Sequence, residues 1–213
     1  MPLHTTEALI LRTYKLGESD RIVVFLTRDR GKKRGVAKNA RQSRRRFGGA
    51  LEPLTYGRVG YVERERRDLV RLDYVEALRS PLSAIDGEAL GYVSYFAELI
   101  DEWAQESDPN EPLFRLGVSM VDAMAKGAPI EPLARYFEFW LLRLQGVYEV
   151  DARLSEEARA FLAAVRRVTP FALGHVTVST RALRELEASH RALITMHLEK
   201  ELKSVRVLRE MRR

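Results

Sequence analysis

The sequence predicts an α+β protein of more than one domain: a small N-terminal β-barrel over residues 1–80, followed by an all-α helical domain over residues 81–213. Three observations carry this reading. Five short segments rich in β-branched residues and separated by turn residues fill the first 80 positions, as in a small closed or nearly closed barrel. Near residue 80 the hydrophobic repeat changes from two to between three and four. At that point stands Ser80-Pro81, a cap followed by a proline suited to a first helical turn, where its missing N–H costs nothing.

The strands follow in order. "EALILRTY" (7–14) is the first, and Gly17-Glu18-Ser19-Asp20 supplies turn chemistry after it. "RIVVFLT" (21–27) is a nearly continuous apolar run, as expected of a strand covered on both faces. Gly31 turns the chain into "KKRGVAK" (32–38), and "TYGRVGYVE" (55–63) and "DLVRLDYVEA" (68–77) complete the set. In the last of these Val70, Leu72 and Tyr74 alternate with Arg71, Asp73 and Val75, which puts one face inward.

The helices follow in turn. Leu82, Ile85, Ala89, Val93, Phe96, Ile100 and Trp103 fall at helical spacing, and Asp108-Pro109-Asn110 ends the pattern. A second helix is expected from about Pro112 to Lys126, stopping at Gly127. A third, "PLARYFEFWLLRLQG" (132–146), is apolar almost all round and belongs at the centre of a bundle. Ser155-Glu156-Glu157 opens a fourth, which ends before Pro170. From about Thr180 one long final helix carries Leu183, Leu186, Leu193, Leu198, Leu202, Val205 and Leu208 on one face.

Composition and motifs exclude much. With 46% hydrophobic and 31% charged residues the chain is ordinary globular, and no apolar run approaches the roughly 18 residues of a membrane span. The N-terminus lacks the pattern of a secretory signal, so a cytoplasmic location is expected. There is no cysteine, which removes disulfides, thiolate zinc sites and thiol catalysis together. No phosphate-cradling Gly-x-x-x-x-Gly-Lys, Gly-x-Ser-x-Gly elbow or His-Glu-x-x-His occurs. His197 and Glu201 stand four apart, but two ligands do not make a metal site. The carboxylate pairs Glu63/Glu65, Asp101/Glu102 and Glu156/Glu157 lie among basic residues or at helix ends. No catalytic residue, metal or cofactor is expected, and the protein reads as a binder and not an enzyme.

The basic stretch is the feature that points to a function. Between Arg28 and Arg46 ten Lys or Arg face one acid, Asp29, so this window holds +9 of a chain whose net charge is +6. The remainder therefore sums to −3, and the basicity is a patch. Cations packed this closely repel one another and gain from a polyanion that releases counterions. Arginine forks pair with phosphates and stack on bases. Phe47 follows the arginines, and aromatics beside a cationic groove are how small barrels hold single strands. The candidate nucleic-acid-binding residues are Lys32, Lys33, Arg34, Lys38, Arg41, Arg44, Arg45, Arg46 and Phe47. Arg64, Arg66 and Arg67 in "RERRD" (64–68) extend them, since in five-stranded OB barrels this loop flanks the nucleic-acid face. An OB-fold RNA-binding protein of tRNA or ribosome work would use the same patch, and a metal-dependent nuclease built on His197 and Glu201 is a further class.

"TTEALILRTYKLGESDRIVVFLTRDRGKKRGVAKNARQSRRRFGGALEPLT" resembles the N-terminus of the RecO family, bacterial recombination mediators and DNA-repair proteins. "RFGGALEP" (46–53) after "VAKNAR" is its most specific part; "LFRLGVSMVDAMAKG", "RYFEFWLLRLQG" and "HLEKELKSVRVLREM" match in order. The resemblance implies an N-terminal OB-fold and a C-terminal helical domain. It implies binding to single- and double-stranded DNA, annealing of complementary strands and association with the nucleoid. The implied partners are the acidic tail of single-stranded-DNA-binding protein and RecR, in work that loads RecA. For the tail, Lys200, Lys203 and Arg206 beside Leu202, Val205 and Leu208 are the candidate docking residues.

In one respect the chain departs from the pattern. Many family members carry a four-cysteine zinc module after the segment matching "LLRLQG"; here only "VYEVDAR" (147–153) stands between it and "LSEEARAFL". The module reads as deleted. Thermal stability is therefore expected to be indifferent to chelators; one tightly held zinc per chain, with EDTA lowering Tm, would contradict this.

Overall fold

The computed structural model describes residues 3–63, 68–83 and 87–211. It contains two compact units: Met1–Pro81 with Val93–Val121, and Leu82–Tyr92 with Asp122–Arg213. The change from strand to helix falls where the period changes, whereas compactness groups residues 93–121 with the strands.

In the first unit, β1 (Leu3–Leu16), β2 (Asp20–Thr27), β3 (Lys32–Ala37), β4 (Tyr56–Val62) and β5 (Val70–Arg79) form a closed barrel in the order β1-β2-β3-β5-β4. This is the OB-type arrangement expected from the sequence. The first strand is long enough to serve two neighbours: Leu3–Leu9 pair with β4 and Ala8–Leu16 with β2. A bulge between Ile10 and Arg12 bends it from one to the other. Closure comes from the parallel pairing of β3 with β5, at Gly35–Val70, Val36–Arg71 and Ala37–Leu72. Gly35 leaves room for the side chains of β5: a Cβ there would stand 2.0 Å from Leu72 Cδ1 and 2.9 Å from Val70 Cγ2, so both would have to shift.

Inward-facing Ile10, Val23, Phe25, Val59, Tyr61 and Leu72 fill the barrel. Tyr61 is fully buried against the edge of Phe25, and burial pushes its phenol up to about 12. Since β4 neighbours β1 and β5, the connection from β3 to β4 has to cross the end of the barrel. It does so over residues 38–55 and carries one short helix, α1 (Arg44–Phe47). Phe47, Ala50 and Leu51 of this crossing join the interior cluster. Gly48 follows α1 closely enough that a Cβ would meet the Arg44 carbonyl at 2.5 Å, and Gly49 takes φ +81° to turn the chain back.

Helix α2 (Gly87–Trp103) and helix α3 (Glu111–Ala125) come next. Within the first unit, Gly117 of α3 lets Leu9 of β1 and Ile100 of α2 approach. The predicted first helix is corrected at its start: Pro81–Ser83 form a 3₁₀ turn and α2 begins at Gly87, while Ile85 lies outside the described residues. Asn110 does not end α2 but caps α3, its Oδ1 accepting from the Leu113 N–H at 3.1 Å.

The second unit holds α4 (Ile130–Leu144), α5 (Glu156–Val165), a 3₁₀ segment (Pro170–His175), α6 (Thr180–Leu198) and α7 (Lys203–Met211). Helix α4 packs against α5, α6 and the 3₁₀ segment, the central place expected of it. Ser155 and Ser179 cap α5 and α6 by accepting from the Ala158 and Ala182 N–H groups. The single final helix is also corrected. It breaks at Glu199, which adopts φ 52°, so Lys200 lies in a connector and Lys203 opens a separate helix.

Phe47 is 2% exposed, so Phe47→Ala opens a cavity at the barrel end. Urea denaturation is expected to show a loss of about 3–5 kcal/mol.

Candidate nucleic-acid interface

Arg28 and Arg30 of the basic stretch are paired with Glu7, Glu111 and Asp29, and its eight candidate cations divide into two groups. Lys32 and Lys33 are committed within the first unit. Lys32 Nζ donates to the Asp101 carbonyl at 2.6 Å and to Asp101 Oδ1 at 3.2 Å. Its backbone is taken up as well: its N–H donates to the Gln105 carbonyl, and its own carbonyl accepts from the Ser107 N–H. Lys33 Nζ meets Glu63 Oε1 at 2.9 Å and Ser107 Oγ at 3.2 Å. That hydrogen bond holds the Glu63 carboxyl below its usual range. These lysines line a cleft of about 310 Å³ in which Lys32, Lys33 and Arg34 stand with Glu63, Asp68 and Glu106. Lys32 and Lys33 are already paired with carboxylates, so they offer little attraction to a phosphate chain.

The second group lies on and around the crossing segment. Lys38, Arg41, Arg44 and Arg45 are exposed, as is Arg34 on β3. Arg41 is anchored without losing its charge, its N–H groups donating to the Ser19 carbonyl (backbone) and the Glu18 carbonyl (guanidinium, 3.1 Å). Asn39, at φ 54°, donates its backbone N–H to Asp20 Oδ1 at 2.8 Å, so the crossing starts fastened to the β1–β2 turn. Arg46 is a clip. It donates to Ser43 Oγ at 3.0 Å and to the Lys38 carbonyl at 2.6 Å, and lies 4.9 Å over the Phe47 ring. Among the described residues no acid pairs with Arg34, Lys38, Arg44 or Arg45.

Phe47 requires a correction. Expected as a platform for bases, it faces the barrel interior, because the crossing must fill the barrel end with something apolar. Tyr56 and Tyr61 are buried as well. Arg64, Arg66 and Arg67 lie outside the described residues.

Strand pairing adds cations that the sequence reading missed. Lys15 and Arg21 stand directly opposite each other in the β1–β2 hairpin, and Arg71 stands opposite Val36. Neither Lys15, Arg21 nor Arg71 has an acidic partner among the described residues, and like charges in direct register are unfavourable until an anion meets them. The turn at Gly17 was the available signal: a hairpin closed there aligns residue 15 with residue 21.

In the second unit Lys200, Lys203 and Arg206 are exposed, but Leu202 and Val205 are buried in its core. The apolar surface beside these cations is instead Val207 and Met211 of α7. Glu201 pairs with Arg209 at 2.9 Å, and among the described residues no group of three or more His, Cys, Asp or Glu is placed to hold a metal. No described helix is long and apolar enough to cross a membrane.

Residues 1–81 match the family model "Recombination protein O N terminal", and residues 85–150 match "Recombination protein O C terminal". The second match ends at residue 150, inside the segment 147–153. The DNA repair protein RecO of Koribacter versatilis (strain Ellin345) is 46% identical over 145 residues, covering 68% of this chain and 59% of the relative. Proteins of the same name are 42% identical over 142 residues in Anaeromyxobacter sp. (strain K), covering 65% and 55%, and 38% identical over 141 residues in Geobacter metallireducens, covering 66% and 57%. The chain thus spans between half and three-fifths of the length of the curated relatives it matches.

Replacing Lys33 with Ala is expected to free Glu63 while leaving polyanion affinity and its salt dependence near those of the wild type; titration with a single-stranded oligonucleotide at several salt concentrations checks this.

Proposed function

The chain belongs to the recombination protein O family, and from that membership, together with the unpaired cations along one end of its barrel, we propose that it is a DNA-binding recombination mediator acting in DNA repair. It binds single- and double-stranded DNA, anneals complementary strands and helps load RecA onto strands coated by single-stranded-DNA-binding protein. RecR and the acidic tail of that binding protein are its protein partners. The observation that carries this reading is the separation of the cations. Those the fold does not use internally gather on the crossing segment and the β1–β2 hairpin, while Lys32 and Lys33 are neutralised where they stand.

The mechanism is binding without chemistry. Arg34, Lys38, Arg41, Arg44 and Arg45 hold phosphates, releasing counterions from the strand. Neutralising two strands at once lowers their mutual repulsion and lets complementary bases meet. Base-pair chemistry then supplies the specificity, since phosphate contacts position a chain but read no sequence. The second unit, whose cations Lys200, Lys203 and Arg206 flank exposed apolar residues of α7, is the surface for the acidic tail.

Changing Lys38, Arg44 and Arg45 together to Ala leaves the Arg46 clip in place. For single strands each lost contact is expected to reduce the slope of log affinity against log salt by about 0.7, close to two units in all. Annealing is expected to fall in parallel, and melting to change little, because exposed cations without partners contribute little stability. A triple variant with the wild-type salt slope would remove this segment from the interface. Changing Lys203 and Arg206 to Glu is expected to weaken binding of the acidic tail peptide, measured by fluorescence anisotropy, with naked-DNA affinity retained.

A further inference from the structure

A row of side chains lies open across the outer wall of the barrel. β2 alternates without interruption: Val23 and Phe25 face the interior, so Ile22 and Val24 face outward. On β3, Ala37 belongs to the interior cluster and Gly35 lies against Leu72 and Val70, so Arg34 and Val36 face outward. On β5, Val70 and Leu72 are inside and Arg71 is outside. The bulge between Ile10 and Arg12 resets β1, so that Tyr14 pairs with Ile22 and shares its face. Tyr14, Ile22, Val36 and Arg71 therefore form one lateral row over four adjacent strands. At the spacing of neighbouring strands this row spans about 14 Å.

Its composition is that of a stacking surface. Tyr14 is 43% exposed, and Ile22 and Val36 are half-buried. The row one step along the strands, Arg12, Val24 and Arg34, is where α2 reaches the barrel, through Arg12 with Glu98 and Asp101 at 3.8 and 3.4 Å. The Tyr14 ring is held as well as exposed. Its hydroxyl accepts from Arg12 Nη1 at 3.2 Å, and Arg12 is fixed in turn by those two carboxylates. A ring already held in place loses little freedom when something packs on it. Cations border the apolar strip: Arg34 one step along β3, and Arg71 at its end.

We propose that Tyr14 is the platform on which an unpaired base of a bound single strand stacks, with Ile22 and Val36 extending the apolar floor and Arg34 and Arg71 holding the flanking phosphates. This rests on the nucleic-acid reading of the barrel and assigns to Tyr14 the part that the burial of Phe47 takes from that residue. Base–aromatic stacking tolerates any sequence because every base has a π-face. It requires a base out of a duplex, so the platform separates single from double strands, which the phosphate contacts alone do not do.

The test uses the full chain and three probes of equal length, about 16 nucleotides, the upper end of the site size of one such fold: a mixed-sequence single strand, the same strand with abasic positions throughout, and the corresponding duplex. Tyr14→Ala is expected to weaken binding of the mixed strand by roughly 5- to 150-fold, the equivalent of one lost stack. Its salt slope is expected to stay at the wild-type value, since no phosphate contact is removed. Affinity for the abasic strand and the duplex is expected to be unchanged. Tyr14→Phe keeps the ring and is expected to bind the mixed strand within a few-fold of wild type. Equal affinity of Tyr14→Ala and wild type for the mixed strand, or an equal loss on the abasic strand, would overturn the platform while leaving the phosphate track standing. Wild-type protein that binds none of the three probes in a salt-dependent manner would overturn both readings.

Discussion

Everything in the first unit depends on one constraint: the barrel closes through a parallel pairing of β3 with β5, which places β4 on the far side of β5 from β3. A chain leaving β3 cannot turn directly into β4. It has to cross the open end of the barrel, and an open end is an apolar cavity exposed to water. Residues 38–55 do both jobs. Their apolar members, Phe47, Ala50 and Leu51, close the cavity, and Lys38, Arg41, Arg44 and Arg45 remain on the outside. Plug and charge are thus opposite sides of one segment, and Arg46 joins them by clasping the Lys38 carbonyl while lying over the Phe47 ring. A cationic segment fastened at both its start and its arginines has less freedom to lose on meeting a polyanion than a free basic loop.

The same economy explains which cations are silent. Lys32 and Lys33 lie at the start of β3, where residues 105–107 pair with the strand and where Asp101 and Glu63 are in reach. Partly buried ammonium groups need such partners, because an unpaired charge taken out of water costs far more than a surface pair returns. At the crossing segment water and counterions solvate the guanidinium groups, so no acid is required there. Burial, more than charge count, decides which members of a basic run are available to a polyanion.

Much of this was legible in the sequence. Five strands, their approximate limits, the turns at Gly17 and Gly31, and the change to helices follow from apolar spacing and turn chemistry, which are local. The serine caps at 155 and the stop at Gly127 (φ +74°) follow for the same reason. Pairing was not legible. That Phe47 faces inward depends on where residues 38–55 pass relative to strands distant in sequence. That Tyr14 faces outward depends on a single bulge at Ile10–Arg12, and shifting a strand by one residue exchanges its two faces. The leucine stripe of the last helix continues through residue 208, yet a left-handed Glu199 divides it. A periodic pattern is equally compatible with one helix or with two that bury the same side. Leu202 and Val205 consequently belong to the core and not to an open slot.

The helical unit resolves its charges in the opposite way, and the contrast bears on function. Glu138 of α4 is buried and meets Arg135 Nη2 at 2.8 Å and His190 Nδ1 of α6 at 3.0 Å. Arg135 also approaches Glu187 at 3.5 Å, and Glu187 is bound by Arg191. Arg135, Glu138, Glu187, His190 and Arg191 thus form one connected polar network between α4 and α6. Such a network adds little net stability over an apolar core, but it penalises any α4–α6 register that separates its members. Charge there is spent on specifying how two helices meet. In the barrel, Lys15 stands opposite Arg21, and Arg44 and Arg45 of the crossing segment have no acidic partner among the described residues, so these cations repel one another across the surface. Repulsion that folding neither needs nor relieves is relieved by an external polyanion, and that is the physical reason for proposing the barrel, and not the helical unit, as the nucleic-acid interface.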